Sequence, residues 1–331
     1  MSATWSNKRA LVTGGSGLVG SALVRDLLAR GADVTVLMLE PDPQSEFVRS
    51  GASDLVSVAG GAVQDLGTMQ RVVAQHAPDI VFHLAAQTQV GAAIRAPFQT
   101  FEANIRGTYT VLEACRTVDP GIEAIVVASS DKAYGAHDQL PYVETMRLDG
   151  IYPYDVSKSC TDLITRSYAV TYGLPVVTAR CGNIFGPGDL NWDRIVPGTI
   201  RSVVERRQPL IRSDGTPTRD YIFVDDVSSA YLSLAEQVSD PEVRGSAFNF
   251  SLDQPVAVLQ MVAQIHEVMG VDDLTPQIQA TARAEISHQF LSSERARSVL
   301  GWVPAFDIEA GLRATIPWYE TFLEERRSRA S

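Results

Sequence analysis

The first half of the chain alternates short apolar, β-branched runs with stretches of helical period. Arg9–Thr13 reads as a strand. Leu18–Arg30 reads as a helix, with Leu18, Val19, Ala22, Leu23 and Leu27 on one face and Gly31 as its stop. Further strands are predicted at Asp33–Leu39, Leu55–Val58, Ile80–His83, Ile125–Ser129 and Val176–Arg180. Helices are predicted between them at Leu66–His76, Ala103–Val118 and Ser157–Tyr172. Strands apolar on both faces and separated by helices predict an α/β fold with a doubly wound parallel sheet. After about Gly182 the pattern becomes irregular, with Gly186-Pro187-Gly188, Pro197-Gly198, Pro209 and Gly215-Thr216-Pro217. Helical stretches follow at Asp226–Gln237, Leu259–Met269, Glu294–Leu300 and Ile308–Leu323. This predicts a smaller mixed lobe over the carboxyl edge of the sheet, where open α/β sheets bind ligands.

Composition narrows the functional classes. The 331 residues allow one large or two intimate domains. A net charge of −11 argues against nucleic-acid binding, which needs a basic surface. The first nine residues are polar and the apolar run after them is broken by Gly14 and Gly15, so neither a signal peptide nor a membrane span is expected. Cys115, Cys160 and Cys181 are odd in number and far apart, so no disulfide framework is expected and a reducing cytoplasm is the default. The five histidines lack metal-ligand spacing, and no metal site is expected. The tail Glu324–Arg329 reads as a solvated, fraying helix end.

Three segments carry chemistry. In Thr13-Gly14-Gly15-Ser16-Gly17-Leu18-Val19-Gly20, the glycines at 14, 17 and 20 lie between the first strand and the first helix. A dinucleotide site needs that spacing for a tight turn, close approach to a pyrophosphate, and a helix N-terminus facing the anion. The second strand ends without an arginine, and its acid, Glu40, comes late. NAD is favoured, with Glu40 a candidate for the ribose, and NADP stays open. The chain has only three lysines, Lys8, Lys132 and Lys158, beside twenty-five arginines. Two of the three therefore mark places where a compact ammonium is required. Tyr154 and Lys158 are four apart on one helix face, and a nearby ammonium and a positive nicotinamide are expected to lower the phenol's pKa for use as a base. Ser130-Asp131-Lys132 ends the fifth strand at the active edge. There Ser130 can donate to a substrate oxygen, and Asp131 and Lys132 supply an acid and a base.

On these segments the chain resembles the extended short-chain dehydrogenase/reductase family of nucleotide-sugar enzymes. His83–Gln87, Asn104–Thr108, Arg180–Gly188, Arg219–Asp226 and Leu300-Gly301-Trp302 carry the resemblance over nearly the whole length. The resemblance implies a Rossmann-type NAD(P)-binding domain over residues 1–181, with 219–250 returning to it. Residues 182–218 and 251–331 would form a nucleotide-sugar lobe. Within the family, Ser130-Asp131-Lys132, Pro153–Lys158 and Gly188–Trp192 are most similar to the CDP-glucose 4,6-dehydratase branch. The Asp–Lys pair is also similar to that of inverting UDP-N-acetylglucosamine dehydratases.

What the resemblance implies is a 4,6-dehydratase acting on a CDP-glucose or GDP-hexose type of substrate. Ser130, Asp131, Lys132, Tyr154 and Lys158 would be catalytic. Gly14, Ser16, Gly17, Leu18, Val19, Glu40, Ala62, Val63, Leu84, Ala85, Ala86, Gln87, Asn104, Tyr154 and Lys158 would hold the cofactor. Gln87, Asn183, Asn191, Trp192, Arg194, Arg219 and His288 would bind substrate. Trp192 also reads as core, and Arg219 as an ion pair with Asp220 or Asp225. Glu285 and His288 sit in a late loop that could reach the ribose. Two departures bear on cofactor choice: Met38 and Leu39 end strand two, and Ala62 stands where the family often has an aspartate. A homodimer through the helices around Ala103–Val118 and Ser157–Tyr172 is implied too. Rival readings are a nucleotide-sugar 4-epimerase, a uronate decarboxylase, and a cofactor-sensing protein without turnover.

Overall fold

The computed structural model describes residues 5–118, 121–281 and 286–330. At its centre is a seven-stranded sheet. Its strands are β1 (Arg9–Thr13), β2 (Asp33–Met38), β3 (Ser57–Gly60), β4 (Ile80–His83), β5 (Ala124–Ala128) and β6 (Val176–Cys181), with a seventh, Ala247–Phe250, much later in the chain. Across the sheet the order is the seventh strand, β6, β5, β4, β1, β2, β3. Every neighbouring pair is parallel. This is the expected doubly wound, Rossmann-type α/β fold.

Alternation along the strands builds two cores. Ala10 and Val12 of β1 face a layer that includes Leu23 and Leu27 of the helix Leu18–Ala29 and Val227 and Leu234 of the helix Val224–Gln237. Leu11, between them, faces Val72, Val111 and Leu112 on the opposite side. A strand side chain changes face at every residue, so one apolar run serves both layers. The chain order turns back between β1 and β4. Their carboxyl ends therefore open a crevice at the topological switch point.

A second lobe is built from the helices Ile195–Val204, Val258–Met269 and Ile308–Ala330. Its own apolar cluster includes Ile200, Met261, Ile265, Leu312 and Tyr319. A small sheet of Val256–Ala257, Thr218–Arg219 and His288–Gln289 borders it. Among the described residues no helix is long and apolar enough to cross a membrane.

Several elements differ from the sequence pattern. The third strand lies at Ser57–Gly60, because Ala52–Leu55 folds into a 3-10 turn instead. Leu55 is left exposed, and this edge strand has little burial to register it. The helix carrying Tyr154 begins at Pro153, which fits the first helical turn because proline needs no amide partner there. The helix predicted at Ala103–Val118 is entered through two short helices, Val90–Arg95 and Pro97–Phe101, and a π-turn at Glu102–Arg106. The C-terminal helix does not end at Leu323 but continues to Ala330, taking in the charged tail.

Candidate active site

At positions 14 and 20 the turn after β1 has room for glycine only. Gly14 has φ +75°, and a Cβ there would lie 2.7 Å from the Ala85 nitrogen. A Cβ on Gly20 would lie 2.2 Å from the Gly14 oxygen, which already accepts from the Gly17 amide at 3.1 Å. Gly17 caps the helix Leu18–Ala29 with no side-chain bond to its amides. The first turn, beginning with Leu18 and Val19, therefore presents its N–H groups and dipole to the crevice. Ser16 is half-buried in the turn. Opposite, the amides of Leu84 and Ala85 donate to the Thr13 carbonyl (3.1 Å) and Thr13 Oγ1 (3.2 Å), bringing the Leu84–Gln87 segment against the glycines. His83 beneath them is buried and bonded to Thr13 Oγ1 at 2.8 Å, and burial pulls it down to about 3, so it stays a neutral spacer. This amide-lined cradle fits a dinucleotide pyrophosphate.

The outer positions are looser. Glu40 is exposed, two residues past the end of β2. Ala62 and Val63 are half-buried just beyond β3, with Val63 packed where a Cβ on Gly107 would come within 2.8 Å of it. Ala86 and Gln87 are half-buried at the end of the β4 segment. Asn104 sits in the π-turn and is buried. Its Oδ1 accepts from the Gln87 amide (2.7 Å), and its Nδ2 donates to the Gln87 carbonyl (3.0 Å) and Ser157 Oγ (2.8 Å). The amide thus clamps the Gln87 loop to the helix of Tyr154. π-turns recur at functional sites because they re-aim one side chain in this way.

Ser130, Asp131, Lys132, Tyr154 and Lys158 are brought together beyond β5. Ser130 caps the 3-10 turn Asp131–Tyr134, accepting from the Lys132 amide at 3.2 Å. Its hydroxyl also donates to Asp131 Oδ1 at 2.9 Å. Asp131 is buried, and its Oδ2 has no hydrogen-bond partner among the described residues. Lys132 is half-buried and donates through Nζ to Gln289 Oε1. Beneath, Ser129 donates to Asp162, which pairs with buried Arg180 at 2.7 Å. Arg180 reaches the Tyr134 hydroxyl (2.7 Å), and that hydroxyl donates to Asn249 of the seventh strand (2.8 Å).

The electrostatics of Tyr154 differ from the sequence reading in the part assigned to Lys158. Burial pushes its phenol up to about 12 instead of letting Lys158 lower it. The opposing influences are the charge of Arg194 and a hydrogen bond with Ser130, while Asp131 and Asp155 add to the rise. Lys158 lies with Nζ 5.9 Å from the Tyr154 ring centre and donates to the Ala128 carbonyl at 2.9 Å. Burial pulls Lys158 down to about 8, with Asp162 opposing.

Two residues are added by the structure. Asp155 is buried, and burial raises it to about 6, with Lys132 opposing and Asp131 adding to the rise. It lines an open cavity of about 500 Å³, shared with His137, Asp138, Tyr152 and His288. Gln289 is fully buried at the far end of the Lys132 contact. Asp155 was only a spacer of the Tyr-x-x-x-Lys pattern, and Gln289 carries no local signal.

The expected substrate residues are spread along the second lobe. Asn183 is half-buried on the short strand Asn183–Phe185. Asn191 accepts from the Asp193 amide at 3.3 Å, and Arg194 pairs with Asp189 at 3.0 Å while facing Tyr154 electrostatically. Trp192 packs on Tyr319 and Phe322, at ring-centre distances of 5.8 and 6.1 Å, and carries Arg201 over its face. Its second, structural reading is the one its surroundings match. Arg219 is buried and donates to the carbonyls of Thr218 (2.8 Å) and Ser287 (3.2 Å). Asp220 instead accepts from the Leu291 amide (2.5 Å) and Asp225 from Arg25 (2.8 Å). His288 is exposed and bonded to Thr218 Oγ1 at 2.9 Å. Glu285 lies outside the described residues.

Known proteins share this fold. The profile of a family described as NAD dependent epimerase/dehydratase matches residues 10–249. The CDP-glucose 4,6-dehydratase of Salmonella typhimurium is 27% identical, over 96% of this chain and 92% of its own. The crystal structure of the dTDP-glucose 4,6-dehydratase DesIV of Streptomyces venezuelae, with NAD and TYD bound, superposes with a TM-score of 0.85 at 25% identity, covering 97% of this chain and 98% of that one. That of the UDP-glucose 4-epimerase of Thermotoga maritima, with UDP-glucose, superposes at 0.87 and 27% identity, covering 95% and 99%.

Proposed function

The chain belongs to the NAD dependent epimerase/dehydratase family, and we propose that it is an NAD-dependent lyase that removes water from a nucleoside-diphosphate hexose. The product would be the 4-keto-6-deoxy sugar nucleotide. The observation that carries this is Asp131: a buried carboxyl beyond β5, one oxygen held by Ser130 and the other without a partner among the described residues, next in sequence to Lys132. A 4-epimerase needs the phenol but has no use for an acid and a base at carbons 5 and 6.

The glycine turn, the Leu84–Gln87 segment and the amides of Leu18 and Val19 would hold the dinucleotide. When bound, NAD would supply the hydride acceptor for carbon 4 of the sugar and then the hydride donor for carbon 6. Tyr154 accepts the proton of the 4-hydroxyl, and Ser130 polarises the same oxygen. Oxidation at carbon 4 makes the carbon-5 proton acidic, and Lys132, as the neutral amine, removes it. Asp131, in its protonated form, donates to the departing 6-hydroxyl. Preorganised donors and acceptors of this kind act most strongly in a closed, water-poor site.

Arg219, Arg194 and Asn183 would meet the diphosphate, since fixed guanidinium groups match phosphate geometry. The Ser130-Asp131-Lys132 and Tyr154–Lys158 strings favour CDP-glucose as substrate, with a GDP-hexose next. The Thermotoga structure keeps the epimerase reading in view, because the same phenol and cofactor serve both reactions. A second copy would cover the exposed Leu163 and Val170, one heptad apart on the helix Pro153–Tyr172, making a homodimer.

The deciding experiment is mass spectrometry of products from CDP-, dTDP-, UDP- and GDP-hexoses in deuterated water. Loss of one water with one deuterium gained is the expected result. A deuterium-free isomer would establish epimerisation instead. No product from any of the four would favour a sensing role.

A further inference from the structure

Gln289 stands out because it is polar, fully buried, and in contact with a residue of the site. Buried side-chain amides must be hydrogen-bonded to be tolerated. Here the amide oxygen accepts from Lys132 Nζ, across 157 positions of sequence. With the lysine charged this orientation is dictated by chemistry, since an ammonium has no lone pair to accept from an amide NH₂. A lysine head on a four-carbon stem has no preferred direction of its own, so a fixed acceptor decides where it points.

The strand that presents Gln289 is itself anchored. His288–Gln289 pairs in parallel with Thr218–Arg219, Gln289 opposite Arg219. Arg219 donates to the Ser287 carbonyl at 3.2 Å, and Asp220 accepts from the Leu291 amide at 2.5 Å. Both flanks of Gln289 are thus bonded to the segment Thr218–Asp220, which carries the arginine expected to meet the diphosphate.

We infer that Gln289 is a positioning residue for Lys132, holding its amine toward the reacting carbon and tying that placement to the segment of Arg219. The inference rests on the dehydratase reading above and assigns part of its machinery. A neutral amine keeps one N–H on the Gln289 oxygen, which leaves its lone pair aimed elsewhere, toward a proton to be removed. Gln289 touches no reacting atom; it acts through Lys132. Because the Arg219 segment buttresses the same strand, a sugar lacking its nucleoside diphosphate would meet a less ordered base.

The test compares Gln289→Met, which keeps volume but removes the acceptor, with Gln289→Glu, which keeps one. In Gln289→Met, turnover of the accepted nucleotide sugar should fall about 10²-fold with KM little changed, the scale of a misplaced catalytic group. Oxidation at carbon 4 does not use Lys132, so the near-ultraviolet absorbance of reduced nicotinamide should build up in this variant, and deuterium entry at carbon 5 should slow in parallel. Gln289→Glu should return Lys132 to its wild-type position in a crystal structure, with turnover still low because a carboxylate keeps the amine charged. Equal depression of both half-reactions would show a merely structural role and overturn the inference, as would wild-type turnover in Gln289→Met. A crystal structure of Gln289→Met with Lys132 unmoved would overturn it whatever reaction the wild type performs. A displaced Lys132 would uphold the placement even if the wild type dehydrated no nucleotide sugar, a result that would defeat the dehydratase reading alone.

Discussion

Lys158 donates to the main-chain carbonyl of Ala128 at 2.9 Å, while the ring centre of Tyr154 lies 5.9 Å from the same nitrogen. The lysine therefore bolts the helix Pro153–Tyr172 to the end of β5. The side-chain cation that moderates the phenol is Arg194, which comes from the second lobe. Approach of that lobe is thus coupled to the readiness of the base.

This predicts a shift in pH dependence. A reaction that needs phenolate speeds up as pH rises. Arg194→Gln removes the positive charge, so the rising limb of kcat should move to higher pH. Tyr154→Phe should lower kcat about 10²- to 10⁴-fold at all pH values. An unmoved limb in Arg194→Gln, from initial rates across a pH series, would refute the coupling.

Asp155 should make the stability of the protein depend on pH. Its folded pKa is raised from 3.8 to about 6, so its favourable contribution is complete below pH 3.8 and is lost as pH rises through 6. At pH 7 the buried carboxylate is a burden. Asp155→Asn should stabilise the protein by about 1–2 kcal/mol at pH 7, after allowance for the open cavity beside it, and by almost nothing near pH 3.5. Urea unfolding at the two pH values checks this, and equal gains at both would contradict it.

Lys158 has the opposite sign. Burial lowers it from 10.5 to about 8, so below pH 8 a charged amine is held in the interior in the folded state. Between about 8 and 10.5 the folded protein releases a proton that the unfolded chain keeps, and stability from this group rises. The full span is worth roughly 3 kcal/mol. The stability of Lys158→Met relative to wild type should therefore decline from pH 7 to pH 10, as read by denaturant melts.

Gly20→Ala tests the cradle. Its methyl would meet the Gly14 oxygen at 2.2 Å, so the turn must open. NAD affinity should fall at least about tenfold, which is roughly 1.4 kcal/mol, in a fluorescence titration. Undiminished affinity would place the dinucleotide elsewhere.

The proposed dimer is tested by Leu163→Glu with Val170→Glu. Both side chains are exposed in the single chain, at 59% and 76%, so the pair should not unfold it. Sedimentation should show a dimer for wild type and a monomer for the variant. A wild-type monomer would refute the assembly.

The sheet was legible where burial on both faces forces apolar runs, as in Ala10–Val12 and Ile80–Phe82. It was not legible at Ala247–Phe250, four residues with no period to mark them, or in the short helices Val90–Arg95 and Pro97–Phe101. Lysine scarcity marks Lys132 and Lys158, the first on the turn just after β5 and the second bonded to the last residue of β5. Which cation faces the phenol was not legible, because a four-residue spacing gives proximity on a helix, while the direction of the Lys158 head depends on β5. Gln289 and Arg194 meet the site only through the folding-back of distant segments, which no local pattern encodes.

The seventh strand has a consequence for how the molecule is made. During synthesis β6 is finished some 66 residues before its outer neighbour begins at Ala247. Until then its flank is an unguarded edge, able to recruit another extended chain. The Asn249 acceptor for the Tyr134 hydroxyl also arrives only with that strand. A ribosome-bound chain shorter than about 250 residues should therefore be the form most dependent on chaperones, with its catalytic turn still loose.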